Sequence, residues 1–403
     1  MVIFWVFTGL TLFGIIGYAL QLMAVRSCTA SPHSGEGNPL PRFFPSVSVL
    51  KPLKGLDDGL FDNLESFCTL DYPHYEIIFA LQSRNDQAYK VAEKIKEKYP
   101  DRDITLVVER CEEGLNPKVN NLIPAYRRAK YDLILISDSN VRVDKDYLSA
   151  ITKEMEDPAV GLVSNIIRGM SGRSLGAFFE NLHLNSFIVG SVCVLDRFLR
   201  IPCVIGKSML MRRCDLEAIG GFDAVRNHLA EDYIIGERMH RLGRKVVLSG
   251  HAITNVNEYW GMAKFINRHT RWGKLRWQIG GAKYFSEVAS NAVFMSVMSL
   301  LLSPMTRLSL ILAVAASSLK IAHDFCVGRA IRADMNPLAY LLSPVKDLVI
   351  GIVWFVPILS NTVSWRGNRY LIGKDSMLFP CPARGQRTGI VGALKTRLAW
   401  AKS

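Results

Sequence analysis

Two aspartates directly follow apolar segments that are typical of buried β-strands. Asp86 comes shortly after "EIIFALQ", and Asp138 ends "YDLILISD" and precedes Ser139 and Asn140. A carboxylate at such a place must be hydrated, paired with a cation or bound to a metal. Carboxylate oxygens suit Mg²⁺ or Mn²⁺, which bridge nucleotide phosphates, so the two acids predict a site for ribose hydroxyls and a divalent cation. The alternative is that both acids cap the helices that follow them.

A second pair of acids, Glu231 and Asp232, lies in the segment "HLAEDYIIGERM". His228 or Asn227 is expected to cap a helix there, which places both acids in the first turn, at the positive end of the helix dipole. A helix that begins at a ligand-binding edge also directs its first carboxylates at the ligand. A helix start and a proton acceptor are therefore compatible interpretations of this pair.

Two further segments contribute candidate ligand-binding residues. Arg268 and Arg271 in "RHTRW" are three positions apart on one helix face, where their guanidinium groups can bind a diphosphate that Trp272 borders. The alternative is a basic helix that binds lipid headgroups. In "IPCVIGKSMLMRRCDLEAIGGFD", Gly206 permits close approach of a ligand to the backbone, whereas Lys207 is interpreted as an ordinary surface charge.

Strands that alternate with helices must position these residues. Between residues 46 and 257 the helical stretches "DQAYKVAEKIKEKYP" and "NNLIPAYRRAK" separate apolar, β-branched segments. The alternation predicts an α/β domain with a Rossmann-like, mainly parallel sheet, and ligands bind such sheets beyond the carboxyl ends of the strands. The predicted strands are "SVSVLKP", "YEIIFALQ", "DITLVVE", "YDLILISD", "VGLVSNII", "CVIGKSMLM" and "KVVLS".

Apolar segments on both sides of this domain predict a membrane protein. Residues 1–25 carry no charged side chain and are long enough to cross about 30 Å of hydrocarbon as a helix, which indicates an anchor. A linker is expected at 26–45 and an amphipathic helix at the membrane surface at 258–285. Within 286–365, spans are predicted at 288–306 and 348–364, and the run at 308–319 is too short to cross without snorkelling of Arg307 and Lys320.

The rules for membrane sidedness conflict in this sequence. Arg26 after the anchor favours a cytosolic α/β domain, and the basic tail at 366–403 favours the cytosol as well. Two cytosolic segments require an even number of crossings between them, whereas three apolar runs lie there. The sequence leaves the number of crossings open.

Composition restricts the class of partner. The chain has 403 residues, 49% of them hydrophobic, and a formal net charge of +13, which favours an anionic ligand or membrane face. A nucleic-acid partner is not expected, because Lys and Arg are dispersed and no zinc-finger or RNA-binding signature is present. The eight cysteines form no C-x-x-C pair, which argues against a structural zinc site or a disulfide framework.

Together these motifs resemble a known family. The order of Asp86, Asp138 in "SDSN", Asp232 in "AEDY" and then "RHTRW" is similar to the signature of family 2-like inverting glycosyltransferases. The longer blocks "VLKPLKGLDDGLFDNLESFCTLDYPHYEI", "LNPKVNNLIPAYRRAKYDLILISDSNVRV" and "SWRGNRY" resemble the ceramide glucosyltransferase family more closely. The resemblance is best over residues 46–277.

The resemblance implies a GT-A fold and inverting transfer of one sugar, as from UDP-glucose, to the primary hydroxyl of a membrane lipid such as ceramide. It implies that Asp86 binds the uridine portion, that Asp138 binds the diphosphate and a divalent cation, Mg²⁺ or Mn²⁺, and that Asp232 is the catalytic base. Further substrate-binding residues implied around them are Gly206, Glu231, Arg268, Arg271 and Trp272. Asn140 departs from the D-x-D pattern of many superfamily members and cannot supply a second anionic metal ligand.

Other functions stay open at this point. The acceptor can be a hopanoid or another lipid, with a different UDP-sugar. A processive polysaccharide synthase shares the three aspartates but usually has Gln at the position of Arg268 and more membrane helices. An inactive, membrane-anchored binding protein is expected to lack one of the acids. With Arg26 favouring the cytosol, the chain is expected to be a multi-pass membrane protein whose catalytic domain lies on the cytosolic face of a bacterial inner membrane or a Golgi membrane.

Overall fold

The computed structural model describes residues 1–30, 43–365 and 368–381. Its strands are β1 (Val47–Pro52), β2 (Tyr75–Leu81), β3 (Ile104–Val108), β4 (Leu133–Ser137), β5 (Val141–Arg142), β6 (Val160–Gly169), β7 (Ser208–Arg212), β8 (Lys245–Asn255), β9 (Thr362–Trp365), β10 (Asn368–Ile372) and β11 (Leu378–Pro380). Its α-helices are α1 (Val2–Thr29), α2 (Leu60–Cys68), α3 (Gln87–Lys98), α4 (Pro117–Arg128), α5 (Tyr147–Glu154), α6 (Leu175–His183), α7 (Val189–Arg197), α8 (Arg213–Ala218), α9 (Glu231–Arg241), α10 (Met262–Gly280), α11 (Phe285–Ala289), α12 (Ala292–Leu302), α13 (Thr306–Ala330), α14 (Ser343–Val353) and α15 (Val356–Leu359).

The main sheet has eight strands in the order β3-β2-β1-β4-β7-β6-β8-β5. Strands β1 to β4 are parallel, as are β6 and β8, whereas β7 is antiparallel to both β4 and β6. The predicted α/β class is confirmed, with a mixed sheet in place of a mainly parallel one. After β6 the chain passes through α6 and α7 and returns from the same edge, so β7 begins where β1 to β4 end.

Capping residues in the sequence explain where the helices that follow β2 and β3 begin. The predicted helices form as α3 and α4. Asp86 caps α3 by accepting a hydrogen bond from the Ala88 amide at 2.9 Å, and Asn116 caps α4 with Pro117 in its first turn. Apolar residues of both sheet faces are buried against helices, Val49 and Phe67 in one cluster and Ile134 and Met239 in the other. Packing on both faces fixes the edge at which the site lies.

Several described helices are long and apolar enough to cross a membrane. Four qualify by length and composition, Val2–Thr29, Leu175–Arg197, Thr306–Ala330 and Pro337–Leu359, and a fifth if the bent pair Met262–Ala289 and Ala292–Leu302 counts as one span. The N-terminal helix contains the predicted anchor and extends past residue 25 into the predicted linker, of which residues 31–42 lie outside the described residues. The expectation of apolar helices at both ends of the α/β domain is confirmed.

The predicted bounds of the later spans need correction. The run at 308–319 continues in α13 to Ala330, because Lys320 is 2% exposed and its ammonium lies 3.0 Å from Asp324, so the charge is neutralised inside the bundle and does not snorkel. The run at 288–306 contains the end of α11, the short helix α12 and the first residue of α13. The run at 348–364 ends partly in strand β9. The helix unit Leu175–Arg197 was not predicted, since it lies within the α/β domain.

The small sheet of β9 to β11 lies against the main domain. His228 forms a β-bridge with Met377, and the Leu229 amide donates to the Ser376 carbonyl at 2.9 Å. Residues 362–365 and 368–381 therefore pack against the main domain, and an even number of membrane crossings between them, as when Thr306–Ala330 and Pro337–Leu359 both cross, is compatible with this contact. The rest of the predicted tail, residues 366–367 and 382–403, lies outside the described residues.

Candidate active site

A large cleft opens at the carboxyl edge of the parallel strands and has a volume of about 980 Å³. Its lining combines acids and lysines from the ends of β4, β7, α4 and α9 with apolar side chains of α1 and α7 and basic and aromatic side chains of α10. The residues that line the cleft include Asp138, Glu231, Asp232, Lys118, Lys207, Leu20, Val192, Leu195, Arg271 and Trp272. A charged site and a wall built from membrane-type helices therefore share one space.

Asp138 follows β4 and is surrounded by lysines. The Lys118 ammonium lies 2.9 Å from its Oδ1, and the Lys207 ammonium lies 2.9 Å from its Oδ2. Lys51 donates to the backbone carbonyl of Asp138 at 3.0 Å. Burial works to raise the pKa of Asp138, but Lys118 and Lys207 hold it well below its usual range. Asp138 is thus an ionised carboxylate, and because it leads into β5 it does not cap a helix.

Glu231 is joined to Asp138 through Lys118. The Lys118 ammonium lies 2.9 Å from Glu231 Oε1 and donates to the Gly206 carbonyl at 2.8 Å. Asn116 Nδ2 donates to Glu231 Oε2 at 3.0 Å. Although burial lowers the pKa of Lys118, the neighbouring Asp138 and Glu231 raise it above its usual value, so it stays a cation. These contacts give Glu231 the position that an orienting residue needs.

Asp232 lies beside this network and differs from the other two acids. Its Oδ2 accepts from the Gly206 amide and its Oδ1 from the Tyr233 amide, both at 2.8 Å. Burial and the adjacent Glu231 raise the pKa of Asp232 to about 6, while Lys118 acts in the opposite direction. A carboxyl group with a pKa near neutrality, held by backbone amides, has the properties of a general base.

Gly206 has a different role from the predicted one. A Cβ at this position would lie 2.6 Å from Asp232 Oδ2, so Gly206 leaves space for the Asp232 carboxylate. The sequence predicted that a ligand approaches the backbone closely at Gly206. In the structure the Asp232 side chain makes that close approach. Any larger residue at position 206 displaces Asp232 from its amide donor.

The start of α9 also corrects the sequence interpretation. Ala230 is the residue before the helix, and neither His228 nor Asn227 caps it. Asn227 accepts from the Leu115 amide at 2.9 Å, and the His228 ring lies 2.8 Å from the Asp375 carbonyl. Both side chains bind other segments to the site instead, because the chain bends at Leu229 before the helix begins. The two acids are in the first turn, as expected.

Arg268 and Arg271 are both on α10 but have different surroundings. Arg268 is 8% exposed, its Nε lies 3.3 Å from Glu180 Oε1, and its guanidinium lies 4.3 Å from the Trp272 ring centroid. Arg271 lines the cleft, with its guanidinium 5.8 Å from the Trp365 ring centroid. Both arginines line the cleft, as a shared helix face predicted, but only Arg268 is tied to Glu180 among the ion pairs described, and this contact holds it against Trp272.

Asp86 is placed by helix capping and by a loop contact. Besides the Ala88 amide, its Oδ1 accepts from the Gly55 amide at 2.8 Å. Asp86 does not line the cleft in the described structure, but Leu53 and Asp57 on either side of Gly55 do. The capping alternative is therefore correct for Asp86, and the same oxygen holds the loop that borders the cleft.

Sequence reasoning missed the lysines of the site. Lys118 lies in the first turn of α4, and Lys207 directly precedes β7; both line the cleft with side chains that are 16% exposed. The interpretation of Lys207 as a surface charge is wrong, because β7 is antiparallel and its first residues meet the ends of β1 to β4. The available signal was its position next to Gly206 in an otherwise apolar strand.

The donor set is compatible with one divalent cation. No group of three or more His, Cys, Asp or Glu side chains with suitable spacing is found in the part of the chain that the structure describes. Mg²⁺ commonly binds one or two carboxylates together with substrate phosphates and water, and Asp138 is one such carboxylate. Both its oxygens contact lysines, so a cation and the lysines compete for the same atoms.

Known proteins resemble this chain over most of its length. Ceramide glucosyltransferase 3 of Caenorhabditis elegans is 28% identical over 344 residues, 83% of this chain and 74% of that protein. Ceramide glucosyltransferase 1 of the same organism is 34% identical over 250 residues, 60% of this chain and 52% of that protein. Thus the chain spans about three quarters of one relative and about half of the other.

Among solved structures, the mannosyltransferase PcManGT from Pyrobaculum calidifontis, in complex with GDP-Man and Mn²⁺, aligns at 18% identity with a TM-score of 0.48. The alignment covers 87% of this chain and 98% of that one.

The family model described as glycosyl transferase family 21 matches residues 6–378. The match includes α1, the whole main sheet, the cleft residues and the apolar helices up to β11. The α/β domain with apolar helices on both sides agrees with the predicted fold class, and the motif-bearing residues Asp138, Asp232 and Arg271 lie in one cleft. This chain belongs to glycosyl transferase family 21.

Proposed function

We propose that the protein transfers one glucose from UDP-glucose to the primary hydroxyl of ceramide, with inversion at the anomeric carbon. One observation carries the proposal: the cleft that contains Asp138 and Asp232 is also lined by Leu20 of α1 and Val192 of α7. A soluble acceptor needs no wall of membrane-type helices, whereas a lipid can place its chains there and its hydroxyl at the charged end. The ceramide glucosyltransferases among the relatives support this acceptor.

Asp232 is the proposed base. As the acceptor oxygen forms its bond to the anomeric carbon, the hydroxyl proton passes to an Asp232 oxygen and the bond from that carbon to the diphosphate oxygen breaks. The Gly206 and Tyr233 amides hold the carboxylate in place during the transfer. Because the base acts on the side opposite the leaving group, the configuration of the sugar is inverted.

The leaving UDP develops negative charge that cations must stabilise. Lys118, Lys207 and Arg271 line the cleft and supply it from the protein. A divalent cation on Asp138 would add Lewis-acid stabilisation of the diphosphate when bound. Trp272, supported by Arg268, borders this region, and Asp86 holds the Gly55 loop for the uridine portion.

The orientation in the membrane follows the same logic. UDP-sugars are cytosolic substrates, and Arg26 in the last turn of α1 favours a cytosolic main sheet. Placing residues 362–381 on that side, against Leu229, agrees with the basic character of the C-terminal tail. We therefore propose a multi-pass membrane protein whose cleft faces the cytosol and opens towards the cytosolic leaflet of the membrane.

Transfer assays with purified protein test the proposal. The protein in detergent–lipid micelles is incubated with labelled UDP-glucose, UDP-galactose or UDP-N-acetylglucosamine and with ceramide, a hopanoid or diacylglycerol. Mass spectrometry identifies the product, and NMR of its anomeric proton gives the configuration. We expect β-glucosylceramide as the main product; a polymer, a retained configuration or no lipid product with any donor contradicts the proposal.

A further inference from the structure

Lys207 has a distinctive place among the cations of the cleft. It stands between Gly206 and the first residue of β7, and its ammonium lies 2.9 Å from Asp138 Oδ2. Its second contact is the neutral Asn140, whose Oδ1 accepts its hydrogen bond at 2.6 Å. Lys118, by comparison, has two carboxylate partners, Asp138 and Glu231. Lys207 is therefore the more weakly held of the two ammonium groups.

The two lysines occupy Asp138 completely. One ammonium lies on each carboxylate oxygen, at the same distance of 2.9 Å. A divalent cation needs at least one of these oxygens, and an ammonium group in its way also repels it. Asn140 contributes no charge that would keep Lys207 in place. The oxygen that can be released at the lower cost is Oδ2, by movement of Lys207.

A diphosphate in the cleft provides an alternative partner for Lys207. Its oxygens carry at least two negative charges, and charge-assisted hydrogen bonds to phosphate are stronger than those to a neutral amide. The Lys207 side chain is only 16% exposed, so water compensates its charge poorly in this position. An arriving anion therefore competes well with Asp138 and Asn140 for this ammonium.

We propose that Lys207 is a diphosphate-binding residue. Before the nucleotide binds, Lys207 covers Asp138 Oδ2, and when the nucleotide binds it moves to the donor diphosphate. The movement frees Oδ2 for a divalent cation, so the nucleotide and the cation bind cooperatively, and Lys207 suppresses binding of the cation alone. The inference rests on the proposed function, because it requires a nucleoside diphosphate as ligand.

Binding measurements on the full-length protein separate this role from a structural one. Isothermal titration calorimetry without metal gives the Kd values of UDP and of uridine, which lacks the diphosphate. For Lys207→Met we expect the UDP Kd to rise about ten- to hundredfold, as expected for loss of one hydrogen bond to a charged group, and the uridine Kd to stay within about twofold. Lys207→Arg should keep most of the UDP affinity.

Binding of Mn²⁺ alone, followed by electron paramagnetic resonance of the free ion, gives a readout with the opposite sign. Lys207→Met should bind Mn²⁺ more tightly than the wild type, because Oδ2 is uncovered, and Lys207→Arg should not. Lys90→Met is the matched control, since Lys90 is an exposed lysine of α3 that does not line the cleft, and it should change neither Kd.

Each outcome is informative. Equal losses of UDP and uridine affinity, or Mn²⁺ binding that is unchanged or weaker in Lys207→Met, overturn the inference while leaving the proposed function intact. A wild type that binds no UDP overturns the proposed function itself. The thermal unfolding midpoint monitors folding of each variant, and if Lys207→Met does not fold, Lys207→Gln replaces it with the same expectations.

Discussion

The protein contains two clusters of lysines and carboxylates that differ in charge balance and in access to solvent. In the cleft, Lys118 and Lys207 contact Asp138 and Glu231, with Asp232 beside them. Between the apolar helices, a second cluster ties α13 to α14: Lys320 lies 3.0 Å from Asp324 and 3.4 Å from Asp347, and Lys346 lies 2.6 Å from Asp347 and 3.8 Å from Asp324.

The difference lies in charge balance and access. The helix cluster has two lysines and two aspartates, its side chains are 0 to 8% exposed, and each charge has a partner of opposite sign. In the cleft, Lys118 and Lys207 pair with Asp138 and Glu231, whereas the third acid, Asp232, is held by backbone amides and has a raised pKa. A balanced buried network holds helices together, whereas an unbalanced one at a cleft keeps a group ready to exchange a proton.

The largest expected effect is at the unbalanced acid. Asp232→Asn removes the proton acceptor but keeps the size of the side chain, so we expect transfer to fall about a thousandfold, within the range for general bases. The UDP Kd should change little. Glu237→Gln, on the same helix and paired with Arg241, is the control and should keep full turnover. Equal turnover of Asp232→Asn and wild type would show that Asp232 is not the base.

Asp324→Asn tests the balanced cluster. It leaves Lys320 and Lys346 without one of their partners in a buried environment, which should cost roughly 3–5 kcal/mol of stability and lower the thermal unfolding midpoint in micelles. Turnover per folded molecule should stay within about twofold. The exposed Asp334→Asn is the control. Lost turnover at an unchanged midpoint would instead assign the helix cluster to function.

A moderate effect is expected in the pH profile. The base acts when deprotonated, so the rate should fall as pH decreases through the pKa of Asp232, about 6. Glu231→Gln removes the neighbouring negative charge that raises this pKa, and the acid limb should move to lower pH. Lys118→Met removes the opposing positive charge and should move it to higher pH. Shifts of the same sign in both variants would refute this electrostatic account.

The smallest effect is the response to salt. Raising the salt concentration from about 0.05 M to 0.5 M should weaken UDP binding by roughly threefold, because the cleft charges are accessible to ions. The buried helix cluster is screened much less, so the thermal unfolding midpoint should stay nearly constant. A midpoint that falls with salt as strongly as UDP affinity would remove the distinction in access between the two clusters.

The sequence contained good signals for residues whose roles depend on local context. Asp138 ends an apolar strand and Asp232 begins a helix, and both reach the cleft. Equal spacing on a helix made Arg268 and Arg271 look equivalent, but the partner that buries Arg268 is Glu180, 88 positions earlier in the chain. Such a long-range ion pair leaves no local pattern, which is why burial could not be predicted there.

Strand direction explains the missed lysine. A parallel β7 would have placed Lys207 at the far edge of the sheet, and no local feature of "CVIGKSMLM" indicates direction. The helix unit Leu175–Arg197 decides it by returning the chain from the end of β6. The helix cluster was missed for a related reason, since Lys320 looks like the end of an apolar run until Asp347 is brought to it.

The sequence by itself determined the α/β class, the long apolar N-terminal helix and the acids at the end of β4 and the start of α9, because these depend on periodicity, length and residues adjacent in the chain. Only the tertiary structure decided that Lys118 and Lys207 cover Asp138, that Gly206 makes room for Asp232, and that α1 forms a wall of the same cleft. Electrostatic and steric interactions act over a few ångströms in space, whatever the separation of the residues along the chain.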